Sequence, residues 1–422
     1  MPGLIVVKEH QDSEPISLTV AERDALLRLS ADISITPVVE SDGIYRLNPG
    51  NTVGAIQLNE MRFELRPKLE VRRLMFLLGY AMNPDHWRTQ GFDFEEDQDL
   101  FEAIVPGFAF QVEEALRRGV QHAYRAEEAA LQTVRGRIRF NDHLRSRFGL
   151  IPPIECQFDE FTDDIEVNRL LKAAIARLGA IRLRSEGSRH RLRTLWPHFA
   201  NVSLVAYEPR NVPEVRYDRR TVHLRGAVEL ARRILSTRSI DSRSGDVTGA
   251  AFLLNLASVF EDFVVISLRE SLGASEHSFP QQARGKSLYL DEGAKLRLKP
   301  DLSWWNAEQC RFVGDVKYKK TRGIAGAAHP DVYQLLAYAT ATARRRGLLV
   351  YAVGEEPSGI HQIRGAGKEI AVRALDLDVS PEEVLAQIDE LAEIVRSQAS
   401  DPPHVYPASM VVDRPAGTPP PR

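Results

Sequence analysis

Residues 299–319 constrain this chain more than any other stretch. They read Lys-Pro-Asp-Leu-Ser-Trp-Trp, a polar turn at 306–309, then Cys-Arg-Phe-Val-Gly-Asp-Val-Lys-Tyr-Lys. Two β-rich runs about a short polar turn predict a hairpin. Side chains alternate faces along a strand, so Asp315 and Lys317 share one face and Val316 takes the other. Asp301 opens the partner strand, within reach across the pair. Two carboxylates can hold a divalent cation, and a neighbouring lysine can orient or deprotonate a water or steady an anionic transition state. That inventory suits phosphodiester hydrolysis. On an isolated hairpin the same residues would equally make a solvated, charged face.

The flanking segments favour a site. Residues 251–272 carry Phe252, Leu253, Leu256, Val259, Phe260 and Phe263 at helical spacing, with Glu261 as a possible third acidic group. Residues 331–346 read as a second helix, in which Gln334 and Tyr338 lie four apart on one face. The apolar run 348–353 then predicts a strand. Helix, hairpin, helix and strand make an α/β core with acidic groups on one side.

Taken in order, Glu261, Pro300-Asp301, Asp315-Val316-Lys317 and Gln334-Leu-Leu-Ala-Tyr338 resemble the PD-(D/E)xK nuclease superfamily, in the branch with a QxxxY helix. The resemblance implies a restriction-endonuclease-like core. It implies Mg²⁺ held by Asp301, Asp315, the Val316 carbonyl and Glu261, the last directly or through water. Lys317 would position the attacking water. Gln334 and Tyr338 would support the site or the DNA backbone.

The 422-residue chain is long enough for two or three domains. No apolar run approaches the roughly 18–20 residues that a membrane-spanning helix needs. The amino terminus lacks a basic segment followed by a long apolar run, so no signal peptide is expected. Cys156 and Cys310 are too few for a zinc site and read as buried thiols of a reducing cytoplasm. Charge is unevenly spread: residues 1–120 carry a net −8, residues 121–368 a net +11 and residues 369–422 a net −6. A basic middle can approach nucleic-acid phosphates. Gly285-Lys286-Ser287 imitates the end of a phosphate-binding loop, but Pro280 stands where its first glycine is required. The eleven histidines include no HExxH pair. His329 precedes a helix where it could border the site, and Trp304-Trp305 could stack on bases, although a loop histidine and a packed tryptophan are the plainer readings.

The fold class predicted is mixed α/β (α+β) in four parts. Residues 1–120 form an α/β module: strands at 4–7, 53–58 and 61–65, helices at 21–29, 71–82 and 100–118, and a solvated acidic loop at 93–99. In the strand at 61–65 charged Arg62, Glu64 and Arg66 alternate with apolar residues, as on a half-buried strand. Residues 121–245 are arginine-rich, with a strand at 135–140, a break at Pro152-Pro153 and a long helix at 164–184. Arg182, Arg184, Arg189, Arg191 and Arg193 cluster at or past the end of that helix, followed by the pairs Arg219-Arg220 and Arg232-Arg233. They are placed to contact phosphate or to favour a helix carboxyl end. A polar linker at 236–245 leads to the nuclease domain at 246–398, with an edge strand at 375–377 and a helix at 381–395. Residues 399–422 are proline-rich and predict a disordered tail.

The resemblance widens beyond the core. Gly54-Ala-Ile-Gln-Leu, Phe63-Glu-Leu-Arg-Pro-Lys68 and Leu74-Met-Phe-Leu-Leu-Gly-Tyr80 look like the front of McrC, the nuclease subunit of McrBC modified-cytosine-dependent restriction systems. Arg135-Gly-Arg-Ile-Arg-Phe140, Phe158-Asp-Glu-Phe161, Asp164, Asn168-Arg-Leu-Leu-Lys172 and Val259-Phe-Glu-Asp-Phe-Val264 agree. The resemblance implies a front module that docks on a ring of an McrB-like AAA+ GTPase and stimulates it. GTP is then bound by the partner and not by this chain. The partner finds methylated double-stranded DNA and translocates, and this subunit cuts. Two other readings stand beside it: a stand-alone repair nuclease of the same superfamily, and a non-catalytic assembly subunit.

Overall fold

The computed structural model describes residues 3–39, 41–82, 100–147, 152–181, 183, 185–209, 211–236, 249–318, 329–352 and 359–402. The acidic run 93–99, Arg182, Arg184, all of the linker but Ser236, and the tail beyond 402 lie outside the described residues. The chain divides into two compact units, Met1–Leu256 and Ala257–Arg422.

In the first unit, strands β1 (Leu4–Lys8), β2 (Ile16–Ser17), β3 (Ser34–Pro37), β4 (Ile44–Asn48), β5 (Thr52–Leu58) and β6 (Met61–Arg66) surround helix α1 (Val20–Leu29). A capping box of Thr19 and Glu22 starts α1. β5 and β6 form an antiparallel hairpin through Asn59, which takes the positive φ the turn requires. β1 joins β6 in parallel, while β2, β4 and β3 make a second, small sheet. Val7, Leu26, Leu29, Leu47, Ile56 and Phe63 share one buried core.

The expected half-burial of β6 is not what forms. Arg62 is 8% exposed and Glu64 fully buried, because β6 is an inner strand covered on both faces. Glu64 is compensated by Arg66 Nη2 at 3.1 Å and Arg62 Nε at 3.5 Å.

Helices α2 (Val71–Met82) and α3 (Leu100–Leu116) follow. Next come β7 (Ala123–Leu131), β8 (Arg137–Ile138), α4 (Phe140–Arg147) and β9 (Ile154–Thr162), whose strands form a three-stranded sheet. The strand expected at 135–140 is therefore only two residues long, and Phe140 already belongs to α4. The long helix expected at 164–184 is two: α5 (Glu166–Gly179) and α6 (Glu186–Leu195), the latter capped by the Ser185 hydroxyl on Ser188 N. Short 3₁₀ turns at Trp196–Phe199 and Val222–Leu224 precede α7 (Arg225–Ser236). α3 packs on α6 and α7, and α5 packs on α7.

β10 (Gly249–Asn255) returns to complete the first sheet in the order β1-β6-β5-β10. The helix expected from 251 thus begins only at Leu256; an apolar run this short fits either structure until a partner strand decides it. Gly54 makes the pairing possible. Its φ is +133°, and a Cβ there would meet the Phe252 carbonyl oxygen at 2.1 Å.

The second unit opens on α8 (Leu256–Ser271) and a 3₁₀ turn at Gln281–Ala283. Strands β11 (Leu302–Asn306) and β12 (Gln309–Lys317), helix α9 (His329–Ala341), strands β13 (Arg346–Ala352), β14 (Gly359–Ile363) and β15 (Lys368–Leu375), and helix α10 (Pro381–Ala399) follow. The sheet runs β11-β12-β13-β15-β14; its three central strands are parallel and its two edges antiparallel. Of the edge strand expected at 375–377, Leu375 is the last residue of inner strand β15 and 376–377 lie beyond it; β14 takes the edge. Val313, Leu349, Tyr351, Ile370 and Val372 pack under Leu335 and Tyr338 of α9. α10, capped by Ser380 and Glu383, packs on the same three central strands. Cys156 and Cys310 are free and buried. Among the described residues no helix is long and apolar enough to cross a membrane.

Candidate active site

The β11–β12 hairpin turns through Ala307 at positive φ. Because β12 alternates, Val313, Asp315 and Lys317 share a face, and Val313 packs against α9 on that side. Asp301 stands one residue before β11 and is latched across the hairpin: its Oδ2 accepts the Val316 N–H at 3.0 Å. Gly314 allows β12 to lie this close to β13, since a Cβ there would meet the Leu348 carbonyl oxygen at 2.8 Å.

Asp315 is 1% exposed, and Lys317 Nζ lies 2.6 Å from its Oδ2. Beyond that ion pair, neither Asp315 oxygen has a hydrogen-bond donor among the described residues. On α9, Gln334 Nε2 donates to Tyr338 Oη at 2.7 Å, and Tyr338 Oη donates to the Lys299 carbonyl at 3.3 Å. The QxxxY pair therefore grips the chain just before Asp301. Glu261, on α8, has its Oε1 held by Gln282 Nε2 at 2.9 Å.

The electrostatics follow from crowding of like charges in a shielded place. Burial, then Asp315 and Glu261, raise the Asp301 pKa far above the ordinary carboxyl range. Burial raises Glu261 too, with Asp262 and Asp315 adding to it. Burial works against the Lys317 charge, but Asp315, and after it Asp301 and Asp331, outweigh burial and raise its pKa. Burial also raises the Tyr338 pKa, with Asp315 and Asp301 contributing.

Among the described residues no three His, Cys, Asp or Glu side chains converge as a metal shell. Two carboxyls do meet across the hairpin, one of them short of donors and the other forced toward protonation. Asp301 and Asp315 are the residues here that could hold a divalent cation. Glu261 acts on them through its charge.

The structure adds residues that the motif reading passed over. Asp331, 5% exposed, accepts a hydrogen bond from Tyr351 Oη at 2.5 Å, and Tyr351 is the strand partner of Lys317. Asp331 lies one helical turn before Gln334, so its spacing was a usable signal. Gln282 comes from a turn, for which no periodicity exists to read. His329 is exposed, its ring tilted at 53° to that of Tyr333 with centroids 6.4 Å apart. Trp305 is buried and donates to Ser303 Oγ, while Trp304 is half-buried. Lys286, in the false phosphate loop, is a buried structural lysine that donates to the Ala307 carbonyl and lies over the Trp305 ring.

A sheet whose central acidic hairpin is covered by a Gln/Tyr-bearing helix defines a class of mixed α/β proteins with a carboxylate-rich centre. Residues 47–352 match the family described as McrBC 5-methylcytosine restriction system component. The chain belongs to that family, on its McrC side. A similar solved structure is a chain of the refined half-complex from the tetradecameric assembly of Thermococcus gammatolerans McrB AAA+ hexamers with bound McrC. It is 15% identical, with a TM-score of 0.55, over 93% of this chain and 100% of that one. That likeness is one of fold. A chain of the cryo-EM structure of the T. gammatolerans McrBC complex is 17% identical, with a TM-score of 0.40, over 64% of this chain and 88% of that one. No curated protein matches.

Proposed function

We propose that this chain is the Mg²⁺-dependent endonuclease subunit of an McrBC-like restriction complex in antiviral defence, hydrolysing phosphodiester bonds of double-stranded DNA. The observation that carries the reading is Asp315: buried, 2.6 Å from Lys317 with no further donor among the described residues, and beside Asp301 across the hairpin. Asp301, Asp315 and the Val316 carbonyl would hold the metal, and Glu261 would join through water. When bound, Mg²⁺ lowers the pKa of a coordinated water and offsets charge on the phosphate. Lys317, kept cationic by its carboxylate neighbours, orients the attacking water and steadies the anionic phosphorus centre. Gln334 and Tyr338 keep Lys299–Asp301 in place and face the DNA backbone.

The partner is an McrB-like AAA+ ring that binds and hydrolyses GTP. Family membership supports this, as does a half-complex of similar fold that pairs McrB AAA+ hexamers with McrC. The false phosphate loop, with Lys286 buried, fits a division of labour in which this chain binds no nucleotide. Asp315→Ala should abolish GTP- and Mg²⁺-dependent cleavage of methylated DNA while folding and partner binding persist. Undiminished cleavage would refute the assignment.

A further inference from the structure

A basic cluster lies in the first unit and includes none of the residues assigned above. Arg219 and Arg220 occupy a turn that Asp218 closes by accepting from Arg220 N, Thr221 N and Thr221 Oγ1. His223 follows, hydrogen-bonded to the Arg220 carbonyl and within electrostatic range of Arg118, just past the end of α3. Arg225 begins α7, and both α3 and α7 pack on the intervening 3₁₀ turn. Four arginines from three segments thus gather around one turn. All four are exposed, and none makes an ion pair among the described residues. The local acid, Asp218, is spent on closing its own turn.

We infer that Arg118, Arg219, Arg220 and Arg225 form a contact site for the phosphate backbone of duplex DNA. The reading rests on DNA being the substrate proposed above. Mutually repelling guanidiniums that outnumber Asp218, their acidic neighbour, favour a polyanion, and their planar forks suit phosphate oxygens. An acidic protein surface is the other polyanion available. Protein interfaces are built around an apolar or aromatic centre, whereas among the described residues this turn offers Val222 alone, 53% exposed. Backbone phosphates ask for charge alone and carry no sequence information.

The test is fluorescence anisotropy of an unmodified duplex with the full chain, in EDTA so that cleavage cannot interfere, across a KCl series. The double variant Arg219→Glu/Arg220→Glu should weaken binding on the order of tenfold or more, and Arg118→Ala or Arg225→Ala should each flatten the log–log salt slope by about one. Arg364→Glu, an exposed charge reversal in the second unit, should change neither. Unchanged affinity and slope in the cluster variants would overturn the inference. So would normal DNA binding by variants that have lost stimulation of the AAA+ partner's GTPase, which would assign the patch to protein. The two proposals fail separately: binding is read in EDTA, so the outcome for the cluster variants stands whether or not the wild type cleaves.

Discussion

Asp164 and Asp301 carry the same carboxyl in opposite surroundings. Asp164 accepts from Arg169 Nε at 2.7 Å, Arg125 Nη1 at 2.9 Å, and Ser203 N and Oγ. Those donors, Arg169 foremost, hold its pKa well below the ordinary 3.8. A lowered carboxyl pKa contributes stability that is present above the ordinary value and lost as pH falls below it. Asp164→Asn should therefore cost about 3 kcal/mol at pH 7, a gap from wild type that narrows below about pH 4 in urea unfolding. Asp301 is raised, so its contribution runs the other way and is lost as pH rises. In EDTA at pH 8, Asp301→Asn should melt at or above the wild-type temperature, and Mg²⁺ should raise the wild type alone. A wild type indifferent to Mg²⁺ would count against the cation site. Tyr338→Phe keeps the ring but loses the hydroxyl bonds to Gln334 and Lys299; cleavage should fall about 10- to 100-fold with little change in melting temperature.

At the scale of elements, the hairpin is where physical patterning spoke most plainly. Period two set Asp315 and Lys317 on one face, and a one-turn helical spacing joined Gln334 to Tyr338. The failures also have physical causes. Residues 251–255 and 256–271 form one apolar run, and only pairing with β5, almost 200 positions earlier, turns its start into a strand. β6 alternates like a surface strand, yet Glu64 is buried, because two arginines compensate a charge that the pattern placed in water. The break between α5 and α6 depends on the Ser185 cap, a single hydroxyl in an arginine-rich segment. Strand closeness at the site yields its own prediction. Gly314→Ala forces a methyl against the Leu348 carbonyl and should destabilise the second unit by about 1–3 kcal/mol, read as a lowered urea midpoint.

At the scale of the whole chain, β10 bears on how the amino-terminal module can be studied. Cutting at residue 120 would remove β1, β5 and β6 and leave β10 without its partner strand. Such a truncation should lose solubility, whereas point changes on the module should not; sedimentation of the two would compare them. Family membership frames the chain as one subunit of an McrBC-type system with an AAA+ partner; in the function proposed above, that partner hydrolyses GTP and this subunit cuts. That division depends on the centre formed by Asp301, Asp315 and Lys317. The most direct measurement is a Mn²⁺ binding isotherm by electron paramagnetic resonance on the full chain, without DNA or partner. Wild type should bind Mn²⁺ at a site that both Asp301→Asn and Asp315→Asn abolish. Equal binding by all three proteins, or none by the wild type, would contradict the account.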